Sequence, residues 1–200
     1  MKNEKKFIDC LELHINNRLE QSKIKITDLV LEELITFALE DSDNTYTYNS
    51  GSHTAGRDIE ALEDNASVKS AKVTKDILEM SSFRLSRYKN NLPNMIEFID
   101  NEGKNFEYYY VLARNENKEK ISYSFYILPS NIFESKSMTW EEYKSGWRTT
   151  DDSHVKLRIV KNMSSQLWIT LKLKNIEKYI KFKIDKEIST LGEKRYKANL

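Results

Sequence analysis

Gly56-Arg57-Asp58-Ile59-Glu60-Ala61-Leu62-Glu63-Asp64-Asn65-Ala66-Ser67-Val68-Lys69-Ser70-Ala71-Lys72 is the stretch around which the rest of this chain is organised. Two short segments flank Asp64-Asn65, a turn signal, and the pattern predicts a tight β-hairpin. Side chains in a strand alternate faces. Asp58 and Glu60 therefore fall on one side of the first strand, and Ser67, Lys69 and Ala71 on one side of the second. Two carboxylates facing one ammonium suit phosphodiester hydrolysis. The carboxylates can hold Mg²⁺, a hard cation that prefers oxygen, while the lysine orients water and offsets charge growing on the phosphoryl oxygens.

An Asp opening one strand and an acidic-x-Lys motif on the next resembles the PD-(D/E)xK nuclease superfamily. On that resemblance Asp58 takes the first position and Lys69 the last. Ser67 stands where the family usually has Asp or Glu, and Glu60 is the first candidate to replace the absent carboxylate. The resemblance covers roughly Gly56 to Tyr88. It implies a Mg²⁺-dependent, site-specific endonuclease acting on double-stranded DNA, most simply a type II restriction enzyme. Asp58 and Glu60 would ligate the metal, Lys69 would position the water, and Ser67 would lend a hydroxyl nearby. Cutting both strands of a palindromic site implies a homodimer.

Upstream, Phe7, Leu11, Ile15 and Leu19 recur every fourth residue and predict a helix from Lys5 to about Gln21. Cys10 and His14 flank that stripe, the histidine as a structural residue. Thr27 reads as the N-cap of a second helix carrying Leu31, Leu34, Ile35 and Ala38. Its acids either favour the helix dipole or, through Glu33 or Glu40, reach the hairpin. Residues 41 to 55 read as a polar surface loop, in which His53 is either a phosphate contact or an ordinary loop residue.

Downstream, Leu78, Met80, Phe83 and Leu85 alternate well enough for a third strand, with a helix as the other reading. Ser81, Ser82, Arg84, Arg87 and Lys89 combine hydroxyls with cations, and that suits DNA: Arg can bridge guanine O6 and N7 while Ser and Lys hold phosphates. Residues 95 to 100 suggest a short helix. Phe106–Arg114 and Ile121–Pro129 read as an antiparallel hairpin whose alternating aromatics mark either sheet packing or a stacking platform. A short helix is expected at Trp140–Lys144 and strands at Val155–Lys161 and Ile169–Leu173, with Gln166 a candidate adenine contact. Ile176, Ile180 and Ile184 allow a C-terminal helix with a lysine-rich side.

Composition bounds these readings. The chain has 200 residues, 39% hydrophobic and 32% charged, with a formal net charge of +1. One domain over residues 1–200 is expected, and any DNA-facing surface must be local. A single cysteine and three histidines build neither a disulfide framework nor a zinc site. No run of about 20 apolar residues is present, so no membrane association is expected, and the location reads as cytoplasmic. The expected fold is α+β: a central mixed sheet containing the catalytic hairpin, flanked by N-terminal and C-terminal helices, restriction-endonuclease-like. The rival function is a non-enzymatic module that binds DNA or protein on a nuclease-like fold.

Overall fold

The computed structural model describes residues 3–42, 46–48, 59–61, 64–102, 105–150, 154–161 and 164–192. Helices α1 (Glu4–Gln21) and α2 (Asp28–Asp41) open the chain as their periodicity requires, and Phe7, Leu11, Ile15 and Leu19 are all buried. Thr27 is the N-cap of α2 by backbone conformation, without a side-chain cap bond. His14 lies 2.8 Å from the Asp41 carboxylate at the far end of α2, the structural role expected of it.

The strands are β1 (Tyr46–Tyr48), β2 (Ile59–Ala61), β3 (Asp64–Thr74), β4 (Ile77–Arg84), β5 (Tyr108–Glu116), β6 (Lys120–Pro129), β7 (Trp140–Tyr143), β8 (Gly146–Thr149), β9 (Val155–Val160), β10 (Gln166–Lys172) and β11 (Ile180–Glu187). They form one mixed sheet in the order β11-β6-β5-β3-β4-β10-β9-β8-β7, with β2 paired to the start of β3 and β1 to β2. β3 and β5 run parallel, and the other pairings among the described residues are antiparallel. A parallel pair needs a crossover. Here β4, the short helix α3 (Leu92–Glu97) and the turn at 98–102 supply it.

The sheet divides into two arms. β3 and β4 pair only from Lys72↔Glu79 to Thr74↔Ile77, and the rest of β4 pairs with β10 alone. Between the arms lies one apolar core, with Val111 and Leu128 from the first, Leu78, Leu157 and Ile169 from the second, and Met95, Phe98 and Phe133 among them. On the other face of β3, β5, β6 and β11, helices α1 and α2 bury Val68, Tyr110, Leu112, Phe125 and Phe182. Alternation along each strand thus feeds two cores. The aromatics of β5 and β6 serve sheet packing: Tyr109, Tyr110, Tyr123 and Phe125 are all buried.

Three expectations are corrected. Asp64-Asn65 is not the hairpin turn, because Ala61 pairs with Asp64 and β3 already includes both residues. Trp140–Tyr143 is a strand, not a helix, paired with β8. The C-terminal helix shrinks to the single turn α4 (Leu173–Ile176), and Ile180–Glu187 is a strand on β6. Ile180, Phe182 and Ile184 also fit a two-residue period, and an available sheet edge decides between the two patterns.

Gly146 closes the β7–β8 hairpin with φ +153, and a Cβ there would stand 1.8 Å from the carbonyl oxygen of Ile159. Neither the backbone nor β9 has room to give. Gly146→Ala should lower stability by about 2 to 4 kcal/mol in urea unfolding, whereas Lys144→Ala in the adjacent exposed turn should leave it within about 0.5 kcal/mol.

Candidate functional site

The split between the arms leaves part of one edge of β3 without a paired strand among the described residues. Glu107 donates its N–H to the Asn65 carbonyl, so backbone groups of odd-numbered residues in β3 face β5 and those of even-numbered residues face the other edge. On that other edge β2 covers residues 64 to 66 and β4 covers 72 to 74. Val68 and Ser70 lie between. Buried backbone groups need partners, and side chains supply them. The Lys69 ammonium donates to the Val68 carbonyl at 2.7 Å, and the Ser70 N–H donates to the Asp28 carboxylate.

From α2, Asp28 at the helix start reaches β3, while Glu33 and Glu40 lie on exposed positions of the helix. Asp28 had only a helix-dipole reading in the sequence. An unpaired N–H some forty residues away gives no local signal.

Register sets the remaining geometry. Glu60 pairs with Asn65 across the β2–β3 ladder, and Asn65, Ser67 and Lys69 share one face of β3. Register thus puts the Glu60 position on the rung of Asn65, on the parity of Ser67 and Lys69. Ser67 is 0% exposed and Lys69 is half-buried. Asp58 and His53 lie outside the described residues. Among the described residues no three His, Cys, Asp or Glu side chains gather as a metal-binding group.

Ser67 sits beside Tyr109 in the β3–β5 ladder. The Tyr109 hydroxyl is fully enclosed, and so is that of Ser82 on β4; neither makes a hydrogen bond of good geometry. Burial pushes the Tyr109 phenol well above its ordinary value of 10.0, the nearby Ser82 hydroxyl opposes this in part, and Asp100 adds to the rise. The space between the arms is therefore apolar with two unpaid hydroxyls at one end.

The residues assigned to DNA contact separate. Ser82 is half-buried, with its hydroxyl oxygen enclosed near Tyr109. Ser81 is half-buried, in register with Trp168. Arg84 is exposed at the end of β4, opposite Gln166 on β10, which places a guanidinium and an amide side by side on one face. Arg87 is outside the strand, in a 3₁₀ turn at 86–88, with its guanidinium 4.8 Å from the Tyr88 ring centre and 4.3 Å from that of Phe98. Lys89 is exposed in the left-handed conformation that ends this turn. Phe83 and Leu85 enter the core together, as expected.

Comparison with known proteins adds no relative: no family model, curated protein or solved structure matches the chain.

Asp28→Ala should cost about 1 to 3 kcal/mol by chemical denaturation, because it strands the Ser70 N–H at the split. Asn at this position, which keeps an acceptor oxygen, should recover part of the loss. Burial of Tyr109 gives stability an alkaline component, alongside the raised phenols of Tyr123 and Tyr126. Below pH 10 the Tyr109 phenol is neutral in both states and contributes no slope; above it the unfolded chain releases a proton that the folded chain holds, so stability falls as pH rises. Tyr109→Phe should remove that component from the stability profile measured between neutral pH and pH 11.

Proposed function

We propose that the β2–β3 hairpin is the centre of a Mg²⁺-dependent endonuclease that cuts double-stranded DNA at a specific site, in the manner of a type II restriction enzyme. The observation carrying this reading is the register: Glu60 lies opposite Asn65, on the parity of Ser67 and Lys69, beside a stretch of β3 whose outer edge no strand covers among the described residues. A place where neighbouring strands part gives a substrate access to side chains held on rigid backbone.

Asp58 and Glu60 would hold the ion, since carboxylate oxygens are the ligands that Mg²⁺ prefers, and the bound ion supplies Lewis-acid activation of phosphate and water. Lys69 offers an ammonium fixed at the split by its bond to Val68, positioned to donate to a phosphoryl oxygen. Ser67 is wholly buried and supports the strand from within. Arg84 would read a base, with Gln166 beside it as the amide that both donates and accepts, and Lys89 would hold a phosphate. Arg87, stacked on two rings, stiffens the turn between them. Two copies related by a two-fold axis would present one centre to each strand.

A second reading, a module that binds DNA or protein without cutting, is favoured by that same burial of Ser67 where the family carries an acid. One experiment separates them. Plasmid DNA incubated with and without Mg²⁺ should give discrete fragments with the wild-type chain. Asp58→Ala and Lys69→Ala should each cut at least about 100-fold more slowly while still binding the site in Ca²⁺ as a dimer by light scattering. Specific binding without fragments supports the non-cutting module, and equal cutting by either variant removes the hairpin from the chemistry.

A further inference from the structure

A second concavity, of 790 Å³, opens where β3 turns into β4. Its floor is the face of β5, β6 and β11 opposite the helices. Two rungs cross that floor, Ala113–Ser124–Lys183 and Asn115–Ser122–Asp185. These are small or polar residues in the middle of a sheet whose other rungs carry tyrosine, phenylalanine and valine. Among the described residues the space over them is open.

The roof is the segment 173–179. It is tied to the turn by the Leu173 N–H, which donates to the Asp76 carbonyl at 2.9 Å. That turn is itself forced. Lys75 and Asp76 have φ of 51 and 61, the pattern of a type I′ hairpin turn, which ordinarily takes Asn-Gly. Holding two residues with side chains in this conformation costs about 1 kcal/mol each. It sets Lys75 on the rim.

Four lysines line the cleft: Lys75, Lys172, Lys174 and Lys183. Lys183 pairs with Asp185 at 3.2 Å. The Ser122 hydroxyl beside Asp185, with help from Lys183, holds that carboxyl below its usual range, so it remains an anion. Lys75, Lys172 and Lys174 are exposed and make no ion pair among the described residues. Like charges gathered round one cavity repel, and the arrangement gains from an anion placed between them. Val73, Ile77, Leu173 and Ile180 add apolar wall.

We propose that this cleft binds a mononucleotide. The volume lies in the range of small-ligand pockets. The unpaired lysines suit a phosphate, the apolar walls suit a base, and the Asn115 amide can both donate and accept. Asp76 and Glu177, also at the cleft, are acceptors for ligand hydroxyls, and they interrupt the rim in a way that disfavours a long polyanion track. The site is separate from the hairpin and does not rest on its function, since binding is read without DNA and without Mg²⁺.

The test is isothermal titration of the whole chain with AMP, GMP, CMP and UMP in turn, at low and high salt. At least one should bind saturably, more weakly as salt rises. The Lys172→Glu/Lys174→Glu double variant and Ser124→Tyr, which fills the floor, should each weaken it by at least about tenfold. Lys144→Glu, in the distant β7–β8 turn, should retain it, with all variants matched to wild type by thermal melting. No saturable binding of any of the four, or equal weakening by all three variants, overturns the proposal. So does inorganic phosphate binding as tightly as the best nucleotide, or an oligothymidylate binding where mononucleotides do not.

Discussion

Three residue pairs between β3 and β4 are the strand pairing that joins the two arms of this protein. Beyond them the strands part, and the apolar core between the arms exists because they do. The strained turn at Lys75-Asp76 starts the divergence: positive φ at both central residues gives the pair a strong twist, and the twist carries β4 away from β3 toward β10. Antiparallel pairing continued along all of β3 would have left no space for Leu78, Met80, Phe83 and Leu85 to meet Tyr109, Val111 and Leu128.

Parting a sheet leaves backbone groups without partners, and the fold answers with side chains. Asp28 reaches from α2 to the Ser70 N–H, and Lys69 folds onto the Val68 carbonyl. The two bonds have different consequences. Asp28 couples the helical layer to the split, so the position of α2 depends on the divergence of the strands. Lys69 stands half-buried at the mouth of the same split, with its charge held where a phosphate could approach.

The two functional proposals lie at different parts of the split architecture. The proposed hairpin centre would use the stretch of β3 whose outer edge is unpaired among the described residues. The nucleotide cleft uses the turn at which the arms join, where short side chains on β5 and β6 leave the floor low. Both draw on the near balance of charge in the chain. With a net charge of +1, no general field attracts nucleic acid, and both proposals rest on local groups of lysine and arginine.

By itself the sequence determined the elements whose periodicity has one solution. The stripe of Phe7, Leu11, Ile15 and Leu19 can only be a helix face, and the alternation through Phe106–Pro129 can only be strands. It also placed Glu60, Ser67 and Lys69 on one side of a hairpin, because parity survives an error in the position of the turn. Tertiary structure decided what local pattern leaves open. Ile176, Ile180 and Ile184 fit a helix, and the free edge of β6 made most of that segment a strand. Asp28 gained its role from an amide that sequence cannot show to be unpaired, and the enclosure of the Ser82 hydroxyl beside Tyr109 comes from the course of β4. The lysines of the cleft are separated by up to about a hundred residues, each unremarkable alone, and only the closing of β11 onto β6 beside the β3–β4 turn brings them round one cavity.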